Sequence, residues 1–243
     1  MKTAVFISGQ LRTFSRCYPT QRWAVYRHFS DLEFFVTVQD QPDAHQILAP
    51  LIADYGADRV HIDLRTDPVL PITPAMERGW HEAPYANAAP IHQLLLQHWY
   101  QREVWRFFKK QVADPEAYST IIRQRGDNWF FSFTPPVPDC GSSFNTVWTP
   151  WWGRFSGLND RFAIMGEEAA GAYFTLYEAI PHLLADGCPF HPESLLRAQL
   201  ETSHVHLRER LCAEFGTLRP SGEMRFPEIT SIDLAHTTLR PAA

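Results

Sequence analysis

The sequence predicts an α/β protein: one domain built on a central mixed, mostly parallel sheet flanked by helices. Three observations point to it. From Thr3 to Leu64 the chain alternates strand-like and helix-like segments, the rhythm of right-handed parallel β-α-β units. The run Ile121-Ile122-Arg123-Gln124-Arg125-Gly126-Asp127 passes abruptly from apolar to charged, as a buried strand does when it delivers charge at its carboxyl end. The 243 residues, 45% of them hydrophobic and 14% aromatic, can fill one such core.

Taken in order, Thr3 to Ser8 is a β-rich apolar segment and the first strand, followed by Gly9-Gln10-Leu11-Arg12. Pro19 to Phe29 reads as a helix with Trp23, Tyr26 and Phe29 among its apolar positions, and Glu33 to Val38 as a second strand. Ala44 to Tyr55 is a helix stopped by Gly56, and Arg59 to Leu64 a third strand. Proline-rich and aperiodic, Pro68 to Pro90 is expected to be a loop or lid. Ile91 to Val112 carries apolar residues at helical spacing and ends at Lys109-Lys110, where positive charge suits the helix dipole. After the central strand, Pro135 to Pro138 is a rigid connector and Asn145 to Thr149 a short strand. A polar turn at Asn159-Asp160-Arg161 then leads into a short apolar strand, and a helix runs from Glu167 to Leu184. Pro192 to Glu201 reads as a helix, and Leu207 to Phe215 as a further helical segment ended by Gly216. Arg225 to Ile229 is expected as a closing strand and Thr237 to Ala243 as a loose end.

Composition narrows the function. A net charge of −5 supplies no basic stripe for a duplex, which argues against a nucleic-acid partner. Four scattered cysteines, Cys17, Cys140, Cys188 and Cys212, form no Cys-x-x-Cys pair, so reduced thiols are expected. The amino terminus lacks a signal-peptide pattern, and no apolar run reaches the roughly 18 residues of a membrane span. A cytoplasmic protein is the expectation, with room for peripheral membrane contact.

The candidate site follows from where charge is placed. Period two puts Ile121, Arg123, Arg125 and Asp127 on one strand face, and open α/β sheets bind ligands beyond the carboxyl ends of their strands. A phosphorylated substrate there, or an internal Arg–Asp pair closing the strand, both fit the local sequence. Gly9 after the first strand lets the backbone approach a ligand, with Arg12 in reach of a phosphate, or it serves only a tight turn. No Gly-x-Gly-x-x-Gly fingerprint is present, which disfavours a dinucleotide site. The loop Pro150-Trp151-Trp152-Gly153-Arg154-Phe155-Ser156-Gly157 can lay a ring such as Trp152 against a sugar, or its tryptophans fill the core.

Ser8-Gly9-Gln10-Leu11-Arg12, Arg123-x-Arg125-x-Asp127, Gly157-x-Asn159-Asp160-Arg161-Phe162-Ala163 and His191-Pro192-Glu193 together resemble a family of bacterial glycosyltransferase-like proteins, in order from Ala4 to about Leu200. Its members are expected to adopt the Rossmann-like glycosyltransferase A fold and include proteins linked to lipopolysaccharide or capsule synthesis. The resemblance implies a nucleotide-sugar donor held by Ser8, Gly9, Gln10 and Arg12, with Arg123, Arg125 and Asp127 at its diphosphate. A nucleotide-binding half (1–130) would precede an acceptor half (131–243). The saccharide or lipid-linked acceptor would meet Trp152, Asn159, Asp160 and Glu193, with Asp160 and Arg125 catalytic. Where most enzymes of that fold carry Asp-x-Asp around a divalent ion, this chain has Arg125 in place of the first acid. Two designs therefore stand open: magnesium or manganese on Asp127 with Arg125 sharing the diphosphate, or arginines alone with Asp127 orienting them. A noncatalytic nucleotide- or sugar-binding protein on the same fold is the alternative function.

Overall fold

The computed structural model describes residues 2–82, 90–136 and 144–226. In chain order the elements are β1 (Lys2–Gly9), α1 (Phe14–Ala24), β2 (Leu32–Gln39), α2 (Ala44–Tyr55), β3 (Val60–Arg65), α3 (Pro74–Glu82), α4 (Ile91–Gln111), β4 (Tyr118–Gln124), β5 (Asn128–Thr134), β6 (Thr146–Trp148), β7 (Phe162–Met165), α5 (Glu167–Phe174), α6 (Leu176–Ala185), α7 (Pro192–Thr202), β8 (His206–Arg208), β9 (Cys212–Leu218) and β10 (Met224–Arg225). A seven-stranded sheet has the order β3-β2-β1-β4-β7-β6-β8. Its first four strands are parallel, β7 runs antiparallel to β4, and β6 and β8 pair in parallel. A second sheet, β10-β9-β5, is antiparallel. This is the α/β architecture that the alternation up to Leu64 predicts.

Alternation along the strands divides the core in two. Ala4, Phe6, Phe35, Ile121, Ala163 and Met165 pack against α4 to α7, while Val5, Ile7, Val36, Ile122 and Ile164 face α1, α2 and the small sheet. On the first face Phe6 sits 5.0 to 5.8 Å from the rings of Phe35, Phe108 and Phe174. Each such buried ring contributes about 1.5–3 kcal/mol of burial energy. α4 lies antiparallel over β1 and β2, which carries Gln97, His98 and Gln101 in its first half to the carboxyl ends of the strands.

Four expectations need correction. The helix expected over Pro19 to Phe29 begins earlier and ends earlier, at Phe14–Ala24 with Pro19 inside it. The segment from Pro68 holds a helix, α3, started by Pro74 and anchored by Met76 and Trp80 in the core. Glu167 to Leu184 is two helices meeting at Thr175, whose hydroxyl donates to the Gly171 carbonyl (2.8 Å). Leu207 to Phe215 is extended, because Ala213 and Phe215 bury on one face of β9 while Cys212 and Glu214 face out. The connector from Val137, Cys140, most of the expected closing strand and the chain end lie outside the described residues. So do residues 83–89 of the expected lid. Among the described residues, no helix is long and apolar enough to cross a membrane.

Candidate functional site

β4 ends at Gln124 and the chain turns through Arg125-Gly126-Asp127 into β5, leaving the large sheet for the small one. A side chain of α1 holds this turn: Gln21, fully buried, donates its amide to the carbonyls of Arg125, Gly126 and Asn128 (3.4, 3.2 and 2.9 Å). Asn128 in turn donates to the Arg161 carbonyl (3.0 Å), joining the strand end to the loop before β7. Two segments far apart in sequence are thus joined by buried amides, beside the packing of Phe130 on Phe162 (5.1 Å).

Charge gathers at this junction. Arg125 donates Nε and Nη2 to the two oxygens of Asp127 (2.9 and 2.8 Å), a bidentate pair. Its Nη1 lies 3.5 Å from Gln97 Oε1, and Gln97 Nε2 donates to Asp160 Oδ2 at 2.5 Å. One relay therefore links Asp127, Arg125, Gln97 and Asp160. Burial alone would raise the carboxyls of Asp127 and Asp160. Arg125 outweighs it at the first and Arg161, Arg123 and Arg125 at the second, so both sit below the usual range. Burial opposes the charge on Arg125 too, and Asp127 more than offsets it, so its pKa is raised.

Arg123 is different. It is 2% exposed on the α4 face, where the Gln101 amide, oriented with its oxygen toward the arginine, accepts from Nε and Nη2 (3.2 and 2.8 Å) and donates to His98 Nδ1 (2.9 Å). Arg123 Nη1, His98 Nε2 and Tyr173 Oη are buried without partners among the described residues. Burial lowers the pKa of His98, leaving it a neutral ring. Arg123, expected at the diphosphate, is thus a buried positive charge bonded to α4.

The second acid comes from α7. Gly157 allows it: a Cβ there would fall on the main-chain carbonyl of Glu193, and that carbonyl accepts from Leu158 N (3.0 Å). Arg197 clamps the same contact by donating Nη2 to the Gly157 carbonyl (3.0 Å). Glu193 then lies 5% exposed beside His191 (3.2 Å). Burial first, and the Asp160 carboxylate second, push its carboxyl well above the usual range. Burial also lowers His191, so it disfavours charge on both partners. Asp160 and Glu193 are two carboxyls whose surroundings drive their proton affinities apart.

The other expected residues divide. Gly9 adopts φ +101° with open space where a Cβ would stand, so the backbone conformation itself requires glycine and the site above it is open. Ser8 and Gln10 are half-buried and Arg12 exposed, with Gln10 donating to Gln39 (3.2 Å) and Gln39 to Asp67 (2.9 Å) across the strand ends. Trp152 is a core residue, donating to the Ala213 carbonyl (2.9 Å) and packing 4.6 Å from Phe215. Asn159 is fully buried, its amide donating to the Trp152 carbonyl and its oxygen accepting from Arg161 N (2.9 and 3.0 Å). Both therefore build the loop and present nothing to an acceptor.

The ring that faces the site is Phe155, missed in the sequence. It lies 5.7 Å from the Arg161 guanidinium and 6.3 Å from His191, in a loop where Phe155 and Ser156 both take positive φ (41° and 69°). Two consecutive non-glycine residues in that region are strained, as functional loops often are. Gly153 and Gly157 flanking an aromatic were the sequence signal for a special turn. A groove of about 430 Å³ lined by Phe29, Asp31, Leu32, Asp54, Tyr55 and Arg59 lies at the opposite, amino-terminal end of the strands, away from this chemistry.

No protein-family model matches the chain, and no curated protein sequence matches it. Solved structures do. The mannosyltransferase Ktr4p from S. cerevisiae in complex with GDP aligns with 88% of this chain and 70% of its own, at 11% identity and a TM-score of 0.52. The apo glycosyltransferase GlyE of Streptococcus pneumoniae TIGR4 aligns at 12% identity and TM-score 0.43, over 85% of this chain and 45% of its own, so the chain spans less than half of that protein. A nucleoside-diphosphate-sugar pyrophosphorylase from Vibrio cholerae RC9 aligns at 11% and 0.47, over 85% and 90%. At such identities the likeness concerns the fold: this chain is a single α/β domain of the glycosyltransferase A type.

Proposed function

We propose that this protein is a glycosyltransferase that moves a sugar from a nucleotide-sugar donor to a saccharide or lipid-linked acceptor, in bacterial cell-surface polysaccharide synthesis such as that of lipopolysaccharide or capsule. The observation that carries the reading is the charged relay Asp127–Arg125–Gln97–Asp160, assembled at the carboxyl end of β4 where a sheet of this type receives its ligand. The leaving nucleoside diphosphate gains negative charge as the sugar departs, and Arg125, oriented by Asp127 and a quarter exposed, stands ready for it. Asp160, held ionised by three arginines, supports the positive charge that develops on the sugar and orients the acceptor hydroxyl. Phe155 offers its face to the acceptor ring. The open space at Gly9 admits the nucleotide.

A magnesium or manganese ion on Asp127 does not fit this donor set. Both Asp127 oxygens are engaged by Arg125, and no group of three His, Cys, Asp or Glu side chains converges among the described residues.

A thermal-shift screen of nucleoside diphosphates, nucleotide sugars and free sugars tests the reading. A nucleotide sugar at a hundred times its dissociation constant should stabilise the protein by about 2.7 kcal/mol. A shift from free sugars alone would favour a noncatalytic sugar-binding protein, and no shift from any nucleotide would contradict the proposal.

A further inference from the structure

The small sheet brings one more residue to the strand ends. Leu218, at the end of β9, donates its N–H to the Asp127 carbonyl and accepts from the Thr13 hydroxyl through its own carbonyl, both at 2.9 Å. One residue thereby ties together three segments, each of which has an arginine next to the tie. Arg219 follows Leu218, Arg12 precedes Thr13, and Arg125 precedes Asp127 by two positions. The turn after Leu218 is closed by Arg219 N donating to the Glu223 carbonyl (2.8 Å) and Gly222 N to the Arg219 carbonyl (2.9 Å), which fixes Arg219 at the base of the β9–β10 hairpin.

We propose that Arg12, Arg125 and Arg219 form a three-arginine anion site for the diphosphate of a nucleotide, with the β9–β10 hairpin as one of its walls, and that this site binds nucleoside diphosphates without a divalent ion. The proposal deepens the donor reading above and rests on it. Arg219 Nε is buried with no hydrogen-bond partner among the described residues, an unmet donor beside the site. Burial lowers the pKa of Arg219, and the neighbouring charges of Arg125, Arg225 and Arg12 add to that, while Asp127 opposes it. Arg225 is already paired with Glu223 (3.1 Å). Arg12, Arg125 and Arg219 thus gather positive charge around the tie, with the carboxylates of Asp127 and Asp160 beside Arg125, and a diphosphate offers oxygens that the three guanidinium groups can share. Guanidinium groups also present paired donors to phosphate oxygens, which a lysine cluster would not.

The test is calorimetric titration of UDP, GDP, ADP and inorganic pyrophosphate into wild type, Arg219→Ala, Arg219→Lys and Arg225→Ala, each in EDTA and in manganese. We expect at least one nucleoside diphosphate to bind wild type as tightly in EDTA as in manganese. Arg219→Ala should weaken it at least tenfold, Arg219→Lys less, and Arg225→Ala less than twofold, with unchanged melting temperatures for all three variants. Binding that requires manganese, or that is indifferent to Arg219→Ala, overturns the arginine site and leaves the nucleotide-sugar reading standing. Pyrophosphate binding as tightly as every nucleoside diphosphate shows a general anion site and overturns the nucleotide assignment. Failure of all nucleoside diphosphates in both buffers overturns the site and the donor reading together.

Discussion

Glu193 is the residue whose environment makes the clearest demand. Its carboxyl is raised from an ordinary 4.5 by burial and by Asp160. Its contribution to stability is fully present below the unfolded value and is lost as pH rises through the folded one. Glu193→Gln, neutral at every pH, should therefore gain on wild type as pH increases; urea unfolding at pH 5 and 8.5 measures this, and parallel curves would contradict a protonated Glu193. Asp127 and Asp160, lowered from 3.8, act in the opposite sense, stabilising above that value and losing their contribution in acid. Asp127→Asn and Arg125→Ala should each cut transfer at least tenfold, about 1.4 kcal/mol in the barrier, with folding little changed; full activity in either variant would remove this turn from the reaction. Phe155→Ala should raise the acceptor KM and leave donor affinity intact, whereas a loss of donor affinity would place the ring elsewhere. The sequence showed that Arg125, Asp127, Asp160 and Glu193 were chemically notable. An internal Arg–Asp pair and core-filling tryptophans were among the readings the sequence left open; that Arg125 pairs with Asp127 and Trp152 turns inward was decided by the β4–β5 turn and the Ala213 carbonyl, and the inward turn of Asn159 had no local signature.

At the scale of elements, the site depends on two joints. One is the hold of α1 on the β4–β5 turn through Gln21, a buried glutamine on a helix whose periodicity gives no hint of it. Gln21→Leu would leave buried carbonyls without a donor and should cost about 1–3 kcal/mol in denaturant unfolding; a neutral result would mean that water or a shifted backbone replaces the amide. The other joint is Gly157 against the first turn of α7, where any Cβ collides with backbone. Gly157→Ala should therefore destabilise the fold and displace Glu193. Elements with strong periodicity were legible: Ala44–Tyr55 is a helix with the expected bounds, and Ile91–Gln111 ends one residue early. β9 was not, because Leu207 to Phe215 is rich in residues that suit a helix, and the pairing of Phe130 with Phe215 across two strands outweighs that preference.

Over the whole molecule, the parallel strands β3-β2-β1-β4 were legible from the alternation of elements up to Leu64 and the charged end of β4. The small sheet was not, since β5 lies far along the chain from the β9–β10 hairpin and meets it only in the fold. That sheet carries β5 away from the large one, and the divergence opens the strand ends where Arg125, Gln97 and Asp160 converge. On the proposed function, this junction breaks the bond between a sugar and a nucleoside diphosphate. Release of nucleoside diphosphate from a panel of nucleotide sugars without acceptor, compared between wild type and Asp160→Asn, measures it directly. Slow release from at least one donor by wild type is expected, with at least tenfold less by the variant at equal donor affinity. Equal rates in the two proteins, or no release from any donor that binds, would contradict it.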